Sequence, residues 1–196
     1  MAGIRMKLRS IAAPILDTFA TGGALIGAPT MFGGKTWTKV GTETTVTTKA
    51  GGEVKATSGS GNVPITIPTG SANFEFAFTL TAVRTPSSIA AAVFRVSDST
   101  NHYTLLLRTD TNVPQYAVAS RSSNVLTMLL ETGVAPSAGD TVRVTIQNHV
   151  LRLYVNGVQL GGAIALGAYG QYQNAGLLFN GLDPDTGFGD FAIYPA

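Results

Sequence analysis

Residues 73–83 constrain the fold more than any other stretch of the chain. Phe74, Phe76, Phe78, Leu80 and Ala82 fall on one side of a period-two alternation, with Glu75, Ala77, Thr79 and Thr81 on the other. Successive side chains of an extended strand point to opposite faces, so the pattern sets a ridge of aromatic rings on one side of a sheet. Such a ridge is stable only under a second layer, and the rest of the chain supplies strands to build one. In 141–147, Val142, Val144 and Ile146 alternate with Arg143, Thr145 and Gln147, and Asn148-His149 forms a two-residue hairpin link to Leu151, Leu153 and Val155. Asn156-Gly157 is a second tight turn, suited to left-handed backbone at both central positions. Shorter strands are predicted over 37–40, 45–49, 53–57, 63–67, 102–108, 115–119, 125–130, 175–180 and 188–194. The Ala-rich stretch 89–96 ends Val-Phe-Arg-Val and is assigned to a strand rather than a helix. Gly22-Gly23, Gly33-Gly34, Gly51-Gly52, Gly59-Ser60-Gly61 and Gly161-Gly162 are assigned to turns.

Composition favours the same architecture. The chain has 25 Thr against 4 Glu, so residues suited to pleated surfaces abound while a leading former of surface helices is scarce. About a dozen strands without a helix of ten residues predict an all-β, two-sheet antiparallel sandwich over 17–196, preceded by an extended arm over 1–16. Hydrophobic residues at 44% and charged residues at 12% of 196 argue for a folded core. The absence of Cys excludes disulfides, thiolate metal sites and cysteine nucleophiles.

The net charge of +2 is unevenly placed. Arg5, Lys7 and Arg9 make the arm +3, leaving −1 on the body. The body thus lacks the electrostatic footprint of a nucleic-acid binder. The apolar run 11–16 contains Pro14 and is shorter than the roughly 7 to 15 residues of a signal h-region. No run approaches the roughly 20 apolar residues of a membrane helix. The expectation is a protein made in a cytoplasm and not inserted in a membrane, its arm either tying the subunit to a neighbour or fraying as a free end.

The segments Gly139-Asp140-Thr141-Val142-Arg143-Val144-Thr145-Ile146, Leu151-Arg152-Leu153-Tyr154-Val155-Asn156-Gly157-Val158, Ala175-Gly176-Leu177 and Phe188-Gly189-Asp190-Phe191-Ala192-Ile193 together resemble the second half of concanavalin A-like (laminin G-like) jelly rolls. The opening Asp17-Thr18-Phe19, Leu25, Gly27, Gly33-Gly34 and Thr36-Trp37 is similar to the start of such modules in minor tail proteins of phages infecting actinobacteria. The resemblance implies a jelly-roll domain that binds carbohydrate, cleaves it or serves as a rigid module. Function therefore has to be argued from a site.

Hydrolysis of glycosides needs two carboxylates facing one cleft. Glu43, Glu53, Glu75 and Glu131 are isolated in sequence, and Glu75 lies on the face opposite the phenylalanine row, as a solvated sheet residue would. Gly34-Lys35-Thr36 lacks the earlier glycine of a phosphate-binding loop, Pro29 standing there instead. His102 and His149 accompany no nucleophile-elbow pattern and are assigned structural or solvent roles. Asp183 and Asp185 offer carboxylates that calcium would accept, but the acid that closes a full calcium loop is absent and an Asp-Pro turn before the last strand is the preferred reading. No cofactor other than that calcium candidate is expected.

Sugar recognition calls for an aromatic platform with amides beside it. The 168–174 loop combines Tyr169, Gln171, Tyr172, Gln173 and Asn174, and is the candidate glycan- or partner-binding segment, the alternative being that its Tyr rings cover a sandwich edge, whereas Trp37 alternates with Thr36 and Thr38 as a core residue would. The leading expectation is a non-enzymatic virion protein: a minor tail or tail-tip subunit that touches a host-surface glycan, its arm residues Arg5, Lys7 and Arg9 contacting other virion subunits in a homo-oligomeric assembly. The alternatives are a head decoration protein, and a cellular carbohydrate-binding module or degenerate glycoside hydrolase.

Overall fold

The computed structural model describes residues 14–42, 45–59, 62–83, 91–109, 113–180 and 186–195. Regular structure among them is entirely β. In chain order the first eight strands are β1 (Ile15–Asp17), β2 (Gly23–Ala24), β3 (Thr38–Lys39), β4 (Thr45–Ala50), β5 (Glu53–Gly59), β6 (Asn62–Pro68), β7 (Phe74–Ala82) and β8 (Ala91–Asp98). The rest are β9 (Asn101–Arg108), β10 (Gln115–Ser122), β11 (Val125–Glu131), β12 (Thr141–Gln147), β13 (Val150–Val155), β14 (Val158–Ala165), β15 (Asn174–Asn180) and β16 (Gly187–Pro195).

They form two antiparallel sheets. One runs β14-β13-β12-β7-β16-β5-β4-β2, with β1 also on β16, and the other is the seven-stranded β11-β10-β9-β8-β15-β6-β3. The architecture is the all-β sandwich that the alternating pattern predicts. On β7, Phe74, Phe76, Phe78 and Leu80 are buried, while Glu75, Ala77 and Thr79 are half-buried on the outer face. Phe76 is the hub: its ring centroid lies 5.8 Å from Phe94 of the opposite sheet and 6.2 Å from Phe191. Glu75 accepts from Arg143 Nη1 at 3.1 Å, and the Arg143 guanidinium also covers the Tyr154 ring, 3.9 Å from its centroid.

The Asp-to-Asn-Gly motif has a structural reason. Asp140 precedes β12 and accepts from the Tyr116 hydroxyl of the opposite sheet at 2.6 Å, from Ser137 N at 2.8 Å and from Asn156 Nδ2 at 2.8 Å. Asn156, left-handed at φ 52, returns the tie by accepting from Thr141 N at 2.9 Å. The motif therefore anchors a hairpin and bridges the two layers. The Asn148-His149 link is also as predicted, with φ of 48 and 62.

Three local expectations are corrected. Gly161-Gly162 is no turn but lies within β14, where left-handed Gly161 (φ 65) accompanies the register shift against β13. A Cβ at Gly161 would collide with the Leu130 side chain, so the glycine also lets the outer strands of the two layers approach. Gly22-Gly23 is likewise not all turn, because Gly23 pairs with Lys49. Ile15 and Leu16, assigned to the arm, join the body by pairing with Ile193 and Ala192. Arg5, Lys7, Arg9, Asp183 and Asp185 lie outside the described residues.

Candidate functional site

The outer face of the seven-stranded sheet departs from the usual polar surface of a sandwich. Val93 and Val96 on β8, Leu106 on β9, Ala117 and Ala119 on β10 and Leu178 on β15 form a second buried apolar cluster, with Val40 and Met128 packed against it. These residues alternate with Ala92, Phe94, Leu105, Tyr116, Val118 and Leu177, which face the main core. β8, β10 and β15 thus carry apolar residues on both faces, and the outer set is buried as a second, smaller core.

A groove of about 180 Å³ lies on this face, lined by Asn62, His102, Thr104, Leu106, Arg121, Leu126 and Leu178. Register explains part of the grouping: His102 of β9 is opposite Arg121 of β10, and Arg121 is opposite Leu126 of β11. The polar atoms of this lining are incompletely used. Asn62 Oδ1, His102 Nε2 and Arg121 Nε are buried without a hydrogen-bond partner. Buried polar atoms are nearly always paired, and leaving one unpaired costs about 1–3 kcal/mol. Three such atoms around one groove make it the candidate site.

The turn before β9 sets the state of His102. Asp98 accepts from Thr100 N at 2.8 Å, Thr100 Oγ1 at 2.8 Å and Asn101 Nδ2 at 2.9 Å. Burial works to raise the Asp98 pKa, but the hydrogen bonds from Asn101 and Thr100 prevail and hold the carboxyl below its ordinary value. The Asp98 carbonyl meets His102 Nδ1 at 3.4 Å. A carbonyl only accepts, so Nδ1 carries the proton and Nε2 of the neutral ring is left as an unpartnered acceptor. Burial, joined by the Arg121 charge, lowers the His102 pKa from 6.5 to about 4, against weaker opposing effects of the Asp98 carbonyl and carboxylate. At neutral pH the imidazole is uncharged.

Asn174 holds the neighbouring strand. Its Oδ1 accepts from Val96 N at 2.6 Å and its Nδ2 donates to Val96 O at 2.9 Å, clamping β8 beside the left-handed Arg95 (φ 50). Arg95 turns inward, donating to Ala72 O at 3.2 Å and lying 3.2 Å from His149 Nδ1. Burial lowers the Arg95 pKa, partly offset by Tyr103.

The 168–174 loop is divided in use. Tyr169 packs edge-on against Tyr103, 5.6 Å between centroids, and its hydroxyl donates to Arg121 O at 3.2 Å. Its ring is a buttress on Tyr103 and the main core, and the Asn174 amide is spent on β8. Tyr172 is half-buried, and Gln171 and Gln173 are exposed. Sequence reasoning singled out this loop and passed over Asn62 and Arg121; it assigned His102 a bland role. The 102–108 segment gave no signal of a site, since His102 and Thr104 alternate with Tyr103, Leu105 and Leu107 as the polar face of an ordinary strand would.

No carboxylate occurs among the described residues of the groove. No cluster of three or more potential metal ligands from His, Asp or Glu is found among the described residues.

No protein-family profile matches the chain, and no curated protein matches its sequence. Solved structures do match in fold. The carbohydrate-binding module CBM66 from Bacillus subtilis superposes with a TM-score of 0.52 at 11% identity, covering 91% of this chain and 94% of the module. Domain 4 of AbnA, a GH43 extracellular arabinanase from Geobacillus stearothermophilus seen in complex with arabinotriose, gives 0.53 at 16% identity, covering 90% and 94%. A xylan β-1,4-xylosidase from Bacillus halodurans gives 0.56 at 13% identity, over 93% of this chain but 39% of the enzyme. The protein is accordingly a two-sheet antiparallel β-sandwich, similar in fold to CBM66 and to domain 4 of AbnA.

Proposed function

We propose that this chain is a non-enzymatic carbohydrate-binding domain whose ligand enters the groove on the outer face of the seven-stranded sheet. The observation that carries this reading is the set of unpartnered atoms Asn62 Oδ1, His102 Nε2 and Arg121 Nε beside Leu106, Leu126 and Leu178. A sugar ring offers hydroxyls that donate and accept, alongside C–H faces that pack on apolar side chains, so it answers both halves of that inventory. The fold supports the same reading, since one neighbour is named for carbohydrate binding and another holds arabinotriose.

A glycan array probed with the full chain tests it. Saturable binding is expected, weakened about tenfold in Arg121→Met, which keeps the aliphatic stem but removes the Nε donor. Absence of binding to any glycan would refute the proposal. A phage tail-tip setting rests on the resemblance of the opening residues to tail modules. The fold neighbours support the glycan-binding element of that setting and are silent on the virion.

A further inference from the structure

We propose that the groove selects neutral glycans over acidic ones, through a sugar hydroxyl that donates to His102 Nε2 while accepting from Arg121 Nε. The inference rests on the carbohydrate reading above and adds the ligand's chemical class and the pair that enforces it.

His102 and Arg121 are directly opposed across the β9–β10 ladder, which sets their Cβ atoms about 4.5–5.5 Å apart on one face. The two unpartnered atoms differ in kind: Nε2 of the neutral ring can only accept, and Nε of the guanidinium can only donate. A hydroxyl is the small group that satisfies both at once. A carboxylate or phosphate oxygen would answer Arg121 but would turn its lone pairs on the lone pair of His102. Asn62 Oδ1, a second unpartnered acceptor in the same lining, adds to that mismatch and suits another hydroxyl donor. Protonating His102 would relieve the conflict, but burial and the charge of Arg121 keep the ring neutral down to about pH 4. Discrimination by an unpaired buried group is steep because the wrong ligand leaves the desolvation cost unrecovered.

Arg121 alone points the other way, since a guanidinium in a groove attracts anions. The orientation of His102 decides the matter. Its Nδ1 is committed to the Asp98 carbonyl, so the ring cannot present a donor to the groove without gaining a charge.

The test uses the full chain at pH 7 on an array carrying neutral glycans and matched glycans bearing uronate or sialate, followed by calorimetry on the best ligand. The expected result is binding to neutral members, with acidic counterparts at least about tenfold weaker. His102→Phe, which keeps the ring volume and deletes the acceptor, should weaken binding about tenfold, and His102→Gln should recover part of the loss. Joined with Arg121→Met, it should cost less than the sum of the two singles, because one hydroxyl serves both partners. Preference for acidic glycans, or unchanged affinity in a folded His102→Phe, would overturn the inference while leaving carbohydrate binding intact. If His102→Phe fails to fold, the neutral-to-acidic preference of the unaltered chain decides. Failure of every glycan to bind would overturn both this inference and the proposed function.

Discussion

The Trp37 indole nitrogen donates to Asp17 Oδ2 at 2.8 Å inside the sandwich, while Asp17 Oδ1 accepts from Phe19 N at 2.9 Å. The two residues are twenty positions apart, and their bond closes the irregular segment between β1 and β3. Trp37 packs against Phe19 and Phe191, with centroids 6.0 and 5.1 Å away, so the aromatic cluster and the hydrogen bonds fix the same geometry. Asp17→Ala strips two buried N–H donors of their acceptor. The expected loss is about 2–5 kcal/mol, from two groups at about 1–3 kcal/mol each. Urea unfolding followed by the fluorescence of Trp37, the single tryptophan, measures it. A loss under about 1 kcal/mol would show that the segment is held by packing alone.

The bond from the Tyr116 hydroxyl to Asp140 ties the two sheets together. Burial, followed by the hydrogen bond to and charge of Asp140, pushes the Tyr116 pKa far above its ordinary value. Tyr116→Phe removes one of three donors to that carboxylate and leaves those from Ser137 and Asn156. A loss of about 1–2 kcal/mol is expected with the fold retained. Asn156→Ala should cost more, because it also orphans Thr141 N and replaces a residue suited to its left-handed turn. Parallel denaturation of the two variants gives the order.

These ties explain why the sandwich was legible and the site was not. Alternation wrote the core directly into residues such as Phe74, Phe76 and Phe78, since a strand buried on one side must alternate. The Asn148-His149 and Asn156-Gly157 hairpins were equally plain, because few residues accept left-handed backbone. The groove left no such trace. Asn62, His102 and Arg121 stand on three strands far apart in sequence, so no local spacing or periodicity brings them together. Tyr169 was ambiguous for a related reason: an aromatic in a Gly- and Gln-rich loop suits an open platform or a covered sandwich edge until tertiary packing sets it against Tyr103. β14 was missed because Gly161-Gly162 in an edge strand resembles a turn when its partner strand is unknown.

The buttressing role of Tyr169 separates stability from recognition. Tyr169→Ala should lower stability by about 2–4 kcal/mol through loss of the Tyr103 contact and the bond to Arg121 O. Tyr172→Ala, on a half-buried side chain of the same loop, should cost no more than about 1 kcal/mol. Thermal unfolding of both variants distinguishes them. Equal and small effects would return Tyr169 to the role of an open platform.

Gly176 lies on β15 opposite Val93 and Thr66, on the grooved side of the sheet. An added Cβ there would run into the Ile65 carbonyl oxygen and the Thr66 Cα, both backbone atoms that cannot swing aside. Gly176→Ala should therefore cost about 3 kcal/mol or more, although its backbone angle suits any residue. Gly162→Ala is the control, since an added Cβ meets no neighbour within 4 Å. It should fall within about 0.5 kcal/mol of the parent by chemical denaturation.

His102 gives the fold an acid-sensitive term whose sign follows from its environment. Folding lowers its pKa from 6.5 to about 4, so the unfolded chain binds the proton more tightly. Its contribution is fully present above pH 6.5 and is lost as pH falls through 4, approaching about 3 kcal/mol once both states are protonated. Carboxylates titrate near the bottom of this window, so the measurement is a difference. Urea-unfolding free energies of the parent and of His102→Gln are compared from pH 7.5 to pH 3.5. The gap between them should shift against the parent as pH falls below 6.5, most steeply between pH 6 and 4.5. A gap independent of pH would mean that His102 exchanges protons as freely in the folded protein as in the unfolded chain. That outcome would also remove the electrostatic reason for its neutrality in the groove.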